Sequence, residues 1–132
     1  MTKEDKELLL KDLCARLPYG VICNTPKGDG HLCSINQTIF GTEYGVNIKA
    51  TTRDYFNDGE ISIKPYLRPR YSLTEEEKKE FYKIVYDSMN IDNISPSAYV
   101  ADWEYSKHFD VHGLIEKGLA LEAPEGMYKK EE

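Results

Sequence analysis

Residues 19 to 67 contain short segments in which apolar and polar residues alternate, and glycine-containing stretches separate these segments. The apolar positions of the pattern are Val21, Cys23, Leu32, Val46, Ile48, Ala50, Ile61 and Ile63. Alternation with a period of two predicts strands that have one buried face and one solvent-exposed face. Glycine-containing breaks at 27–30, 41–43 and 57–59 predict turns that reverse the direction of the chain. The pattern therefore predicts three or four antiparallel strands.

Helical patterns lie on both sides of this region. Thr2 is a candidate N-cap, and leucines recur at helical spacing until Pro18, which predicts a first helix. Thr74 and Glu77 form a Thr-x-x-Glu capping box ahead of an apolar stripe, which predicts a second helix. An alternating sheet must cover its apolar face, and these helices are the large apolar surfaces available for that purpose.

The segments beyond the alternating region complete the architecture. Pro65 and Pro69 are expected to end the sheet and to make residues 64–69 an extended connector. Residues 97–108 favour a third helix, although their aromatic residues would also suit a strand.

The sequence after the third helix predicts a short fourth one. Asp110 is its candidate cap, residues 113–117 form it, and Gly118 ends it. Residues 119–122 then alternate as a strand would and are expected to add an edge to the sheet.

Together these patterns predict a single α+β domain over residues 1–132, with a frayed tail at 129–132. Its antiparallel sheet of three to five strands packs against N-terminal and C-terminal helices. Apolar residues make up 40% of the chain, and ten Tyr, four Phe and one Trp supply bulk for a core, which weighs against disorder.

Charge and cysteine usage favour a cytoplasmic protein. The net charge of -6 repels polyphosphates at long range and weighs against a general nucleic-acid coat protein. Three cysteines cannot all pair within one chain, the first residues show no secretory pattern, and no apolar run, including residues 8–10, exceeds four residues. We therefore expect neither export nor a membrane partner.

Two groups of residues carry weak metal-binding patterns. Cys14, Cys23, His31 and Cys33 are of the types that zinc prefers, but they lack the closely spaced cysteine pair of structural zinc sites. We favour Cys14 and Cys23 as small buried residues and His31 as a surface strand residue.

The second group is the His-x-Asp-x-His triplet of His108, Asp110 and His112, which could hold a metal or place a base beside a carboxylate. We favour helix-end roles instead, with Asp110 as a cap and His108 as a C-terminal cation. A nucleophilic pair such as Cys23 with His108 has no local motif. No catalytic residue and no cofactor is therefore assigned.

The predicted connector mixes cations with tyrosines. Lys64, Arg68 and Arg70 alternate with Tyr66 and Tyr71, a combination that single-stranded nucleic acids recognise through backbone neutralisation and base stacking. The patch is small, and the glutamates that begin the second helix oppose its field. A solvated connector with tyrosines on the core is the favoured interpretation, and nucleic-acid binding is the alternative.

Several longer stretches resemble a group of small uncharacterised proteins encoded by gut Bacteroides-type bacteria, often in phage-like or mobile regions. The stretches are 8–20, Ile63-Lys-Pro-Tyr-Leu-Arg-Pro69 followed by 74–78, and His108-Phe-Asp110 with 113–128. This chain departs from the pattern at Val111-His112, where an aromatic residue followed by Arg is expected. The resemblance implies a genomic setting and no site residue.

These observations predict a non-enzymatic cytoplasmic accessory protein that acts through protein contacts. The first alternative is a nucleic-acid-binding module that uses the basic and aromatic connector. The second is a metal-dependent or thiol-dependent enzyme. No pattern in the sequence indicates a small-molecule ligand.

Overall fold

The computed structural model describes residues 2–39, 41–49, 52–57, 63–88 and 96–128. The helices are α1 (Lys3–Arg16), α2 (Glu75–Ser88) and α3 (Pro96–Ser106). The strands are β1 (Ile22–Thr25), β2 (Gly28–Thr38), β3 (Gly41–Lys49), β4 (Thr52–Asn57), β5 (Lys64–Leu67) and β6 (Leu121–Glu122). The prediction of an α+β chain is confirmed.

The strands form one six-stranded sheet in the order β4-β3-β2-β1-β5-β6. The pairs from β4 to β5 are antiparallel, whereas β6 runs parallel to β5 and pairs Leu121 with Tyr66 and Glu122 with Leu67. The predicted edge strand is therefore present, but the sheet is mixed and larger than the three to five antiparallel strands expected. A parallel neighbour is possible here because the long connection through α2 and α3 carries the chain back to the same end of the sheet.

The predicted connector at 64–69 is wrong, because its first four residues form strand β5. Lys64 pairs with Asn24 and Pro65 with Cys23 of β1, and the Pro65 side chain is fully buried. A proline is tolerated near the start of a short strand close to a sheet edge, which is where Pro65 lies. The prolines therefore do not end the sheet.

The glycine-containing stretches were also placed too broadly as reversals. Residues 28–30 belong to β2 and residues 41–43 to β3. A Cβ atom at Gly30 would lie 2.5 Å from the carbonyl oxygen of Asn47, so glycine is required there by close approach of the neighbouring strand. The third stretch, 57–59, lies only partly within the described residues. Ala50, Ile61 and the tail at 129–132 lie outside them.

Helix α1 covers one face of the sheet. Its Leu9 and Leu13 are buried in the main apolar cluster. The other fully enclosed members include Val21, Cys23, Leu32, Tyr44, Val46, Phe56, Ile63, Leu67, Leu114, Leu119 and Ala120. Burial of this face supplies the main driving force that holds helix and sheet together.

The predicted N-cap of α1 and the predicted capping box of α2 are both present. The hydroxyl of Thr2 accepts the backbone N–H of Asp5 at 3.1 Å, and α1 ends at Arg16 before a single 3₁₀ turn that contains Pro18. At α2, the Glu77 N–H donates to the Thr74 hydroxyl at 3.1 Å, and the Thr74 N–H donates to the Glu77 carboxylate at 3.0 Å. These are local signals, and they place both helix starts correctly.

Helix α3 settles the choice left open for residues 97–108 in favour of a helix. It ends two residues earlier than predicted, at Ser106. Within the described part of the chain, no helix is long and apolar enough to cross a bilayer.

The predicted fourth helix is wrong, because residues 114–118 form a turn. Gly113 and Gly118 have φ angles of 70° and 76°, and a segment bounded by two left-handed residues is too short to propagate a helix. The Asp110 carboxylate still accepts backbone N–H groups, from Leu114 at 2.8 Å and Ile115 at 3.1 Å. Asp110 therefore acts as a cap, as predicted, but it caps a turn instead of a helix.

Gly118→Val is expected to lower the free energy of unfolding by about 1 kcal/mol. A Cβ atom at Gly118 would have no neighbour within 4 Å, so the cost comes from the backbone φ of 76° alone. Gly118→Asn is the matched control, since Asn tolerates this region and should lose less. Urea denaturation midpoints measure both variants, and a Val variant as stable as the parent would contradict the explanation.

Candidate interaction surface

The cysteine and histidine candidates near the N-terminus do not converge on one point. Cys23 is fully buried on β1, where desolvation raises the pKa of its thiol to about 12. His31 and Cys33 lie on β2, with His31 exposed and Cys33 half-buried. Cys14 is exposed on α1, which corrects the prediction that it is buried. In the part of the chain that the structure describes, no three His, Cys, Asp or Glu side chains form a metal-binding group.

The residues of the His-x-Asp-x-His triplet have separate contacts. The ring of His108 stacks on Tyr128 at 3.8 Å between centroids, and Nε2 of His112 lies 2.8 Å from the hydroxyl of Tyr105. Asp110 is engaged by the turn described above. Each residue of the triplet therefore has a structural contact of its own, and of these contacts only that of His108 involves Tyr128.

His108 is not the helix-end cation that was predicted. Burial, with further contributions from Arg16 and Arg68, lowers the pKa of its imidazole from 6.5 to about 4. The ring is therefore neutral near pH 7. Its backbone has a φ of 66°, and its N–H lies past the end of α3. A non-glycine residue in this conformation is uncommon and must be held by its surroundings.

Tyr128 links the last described segment to the sheet. Its hydroxyl accepts the backbone N–H of Ile22 at 2.9 Å and donates to the carbonyl oxygen of Tyr66 at 2.8 Å. It thereby bridges β1 and β5 next to their short ladder, and no composition or spacing signal indicated this role. The stack with His108 fixes the ring.

A buried ion pair was also missed by the sequence analysis. Asp12 and Arg16 of α1 are both fully enclosed, and Arg16 Nε donates to Asp12 at 2.7 Å. Arg16 Nη2 also donates to the Phe109 carbonyl at 2.6 Å, while the guanidinium lies 5.0 Å from the Tyr105 ring centre. Both charged residues recur on the same helical face as Leu9 and Leu13, and that spacing was the available signal.

The residues of the basic and aromatic stretch separate into different environments. Lys64 and Tyr66 are half-buried on β5, and the Tyr66 hydroxyl donates to Asp29 at 3.1 Å. Arg68 instead donates to both carboxylate oxygens of Glu77, at 2.6 and 2.7 Å, and covers the Phe109 ring at 4.3 Å. Its charge is therefore neutralised within the fold.

Tyr71 lies apart from that pair. It is 84% exposed, and its hydroxyl donates to Glu122 at 2.9 Å. Tyr71 borders a cleft of about 310 Å³, and the carboxylates that line this cleft are Asp110, Glu116 and Glu122. Asp110 and Glu122 already accept hydrogen bonds from the fold. The side chain of Arg70 lies outside the described part of the structure.

The face of the sheet opposite α1 carries mostly polar side chains, which we call the open face. Its exposed members include Asp29, His31, Asn36, Asn47, Arg53 and Tyr55, and its half-buried members include Asn24, Glu43, Lys64 and Tyr66. They alternate along the strands with the buried residues of the core, so both sets follow from one register.

Close packing shapes the centre of the open face. A Cβ atom at Gly45 would lie 2.2 Å from the Ser34 hydroxyl oxygen and 3.3 Å from the Tyr55 ring. Tyr55 therefore lies against a strand position that has no side chain, while 53% of its surface remains exposed. An aromatic ring held in this way is a firm contact point for another molecule.

No protein-family model, no curated protein and no solved structure matches this chain. The resemblance to proteins of Bacteroides-type bacteria therefore stays a prediction.

Proposed function

We propose that the protein is a non-enzymatic cytoplasmic accessory protein that binds a partner protein through the open face. The observation that carries this proposal is the make-up of that face, where tyrosine, asparagine and arginine side chains lie on a six-stranded sheet. Tyrosine provides large contact area at low conformational cost, and asparagine provides adaptable hydrogen bonds.

Charge also favours a protein partner over a nucleic acid. The cations Arg53 and Lys64 share the face with the carboxylates of Asp29 and Glu43. A mixed surface of this kind can match another protein by alternating contacts, whereas a polyphosphate would meet repulsion from the carboxylates and from the net charge of -6.

The thiol alternative has little support. A nucleophilic cysteine reacts as the thiolate, and the enclosed Cys23 has a pKa raised to about 12. Burial also raises the pKa of the Cys14 thiol.

Position-specific photo-crosslinking in the native host tests the proposal. A benzoylphenylalanine at Asn36 or Asn47, on the open face, is expected to give a discrete protein adduct. The same residue at Lys11, exposed on α1, is the matched control and should not give that adduct. A nuclease-sensitive adduct would favour the nucleic-acid alternative, and equal protein adducts from both faces would contradict the proposed surface.

A further inference from the structure

Arg53 differs from the other arginines whose side chains the structure describes. Arg16 is enclosed and bound to Asp12, and Arg68 is bound to Glu77. Arg53 instead is exposed on the open face, and no described residue forms a hydrogen bond or an ion pair with its guanidinium. Its donors are therefore available to another molecule.

The side chain of Arg53 packs over strand β3 beside Tyr55. A Cβ atom at Gly45 would lie 3.0 Å from Cδ of Arg53 and 3.3 Å from Cε1 of Tyr55, so both side chains lie over this glycine. The Ser34 hydroxyl lies beneath them, enclosed and without a hydrogen-bond partner among the described residues. A packed stem has less conformational freedom to lose on binding, so the guanidinium of Arg53 is partly pre-organised.

Two carboxylates near Arg53 in the chain or on the sheet are directed away from it. Asp54 follows Arg53 but lies on the core-facing side of β4, where it binds Lys27 at 3.5 Å. Glu43 lies on the open face and pairs with Asn57, at the other end of β4. Four residues of a strand separate Asn57 from Arg53, which corresponds to about 13 Å.

A third carboxylate, Asp29, is also distant from Arg53. It lies on β2, two strands from β4, and accepts hydrogen bonds from Asn24 and Tyr66 on the far side. Two strand spacings correspond to about 10 Å, a separation at which exposed charges are largely screened at physiological salt. Within the described part of the open face, the positive charge of Arg53 is therefore not cancelled.

We propose that Arg53 and Tyr55 form the centre of the partner-binding contact, and that the partner protein supplies a carboxylate to Arg53 and an aliphatic side chain to the Tyr55 ring. The inference rests on the proposed function and names the chemistry of the partner. A carboxylate matches the fork of guanidinium donors, and Arg and Tyr are residue types that dominate binding energy at protein interfaces. A polyphosphate needs several cations and would be repelled by Asp29 and Glu43.

NMR titration of the ¹⁵N-labelled full chain with defined probes tests this proposal. The first probe is acetyl-Leu-Glu amide, the second is the neutral acetyl-Leu-Gln amide of the same shape, and the third is tetrathymidylate. The first probe should shift the Nε–H signal of Arg53 and the backbone signals of Gly45 and Tyr55 on one saturable curve, with a Kd of about 1 to 10 mM. The other two should bind at least ~5-fold more weakly.

Variants locate the site. Arg53→Gln should weaken binding of the acidic probe at least ~5-fold, and Tyr55→Ala at least ~3-fold. The matched control, Lys64→Gln, removes one positive charge from the same face and should change binding less than ~1.5-fold, because Lys64 lies three strands away from β4 across the sheet. Backbone signals far from each substitution should keep their positions, since none of the three side chains is enclosed.

The proposal is overturned if the acidic probe leaves the Arg53 signal unshifted, if the neutral probe binds equally well, or if Lys64→Gln weakens binding as much as Arg53→Gln. Tighter binding of tetrathymidylate than of the acidic probe would also overturn it. The titration needs no partner from the host, so its failure is distinguishable from a failure of crosslinking at Asn36 and Asn47.

Discussion

Arg16→Met is expected to lower the free energy of unfolding by about 3 to 5 kcal/mol, the largest effect of a single substitution that we anticipate. The substitution leaves the carboxylate of Asp12 fully enclosed without its 2.7 Å partner. It also removes the donor to the Phe109 carbonyl, which joins α1 to the segment that follows α3. Chemical denaturation followed by circular dichroism measures the loss.

Two further variants separate charge from packing. Asp12→Leu with Arg16→Met removes both enclosed charges and should recover most of the stability, because no uncompensated charge remains. Arg16→Lys keeps the charge but loses the two-pronged contact with Asp12, so an intermediate loss is expected. A single Met variant within about 1 kcal/mol of the parent would show that the pair contributes little.

The sequence predicts those parts of the fold that depend on near neighbours. Both capping boxes join residues three positions apart, and the alternation between residues 19 and 67 reflects the two faces of each strand. The strand role of Lys64–Leu67 was hidden because it depends on pairing with β1 and β6, which are distant in the chain. The turns near Gly118 were mistaken for a helix because a cap alone does not show how far a helix propagates.

The candidate surfaces depend even more on distant contacts. Arg53 and Lys64 share the open face only because β4 and β5 belong to one sheet, in which three strands separate them. Arg68 of the stretch that suggested nucleic-acid binding loses its free charge to Glu77, which lies outside that stretch in α2. Composition identifies such residues as polar, but only the strand order determines which of them share one surface.

The second large effect concerns acid stability, which should fall between pH 6.5 and 4 because of His108. The unfolded imidazole takes up a proton near pH 6.5, whereas the folded one does so only near pH 4. Between these values the unfolded state binds more protons, so stability decreases as the pH falls and then levels off. The full difference corresponds to about 3 kcal/mol, and partial exposure of the ring reduces the expected loss to about 1 to 2 kcal/mol.

His108→Asn isolates this contribution, because Asn tolerates the φ of 66° and does not titrate. Urea denaturation at pH 7 and at pH 4 measures the free energy of unfolding of both proteins. Between these two pH values, the variant should lose about 1 to 2 kcal/mol less stability than the parent, which is the loss assigned to His108. Glu77 acts at lower pH. Burial raises the pKa of its carboxyl, but the Arg68 guanidinium and the Thr74 cap outweigh this and hold the pKa at about 2, against 4.5 when unfolded. Its stabilisation is lost as the pH falls from about 4.5 to 2, so both proteins should still weaken there. Parallel pH profiles of parent and variant above pH 4.5 would contradict this account. They would mean that His108 takes up its proton near pH 6.5 in the folded protein as well, and that its stack on Tyr128 survives the charge.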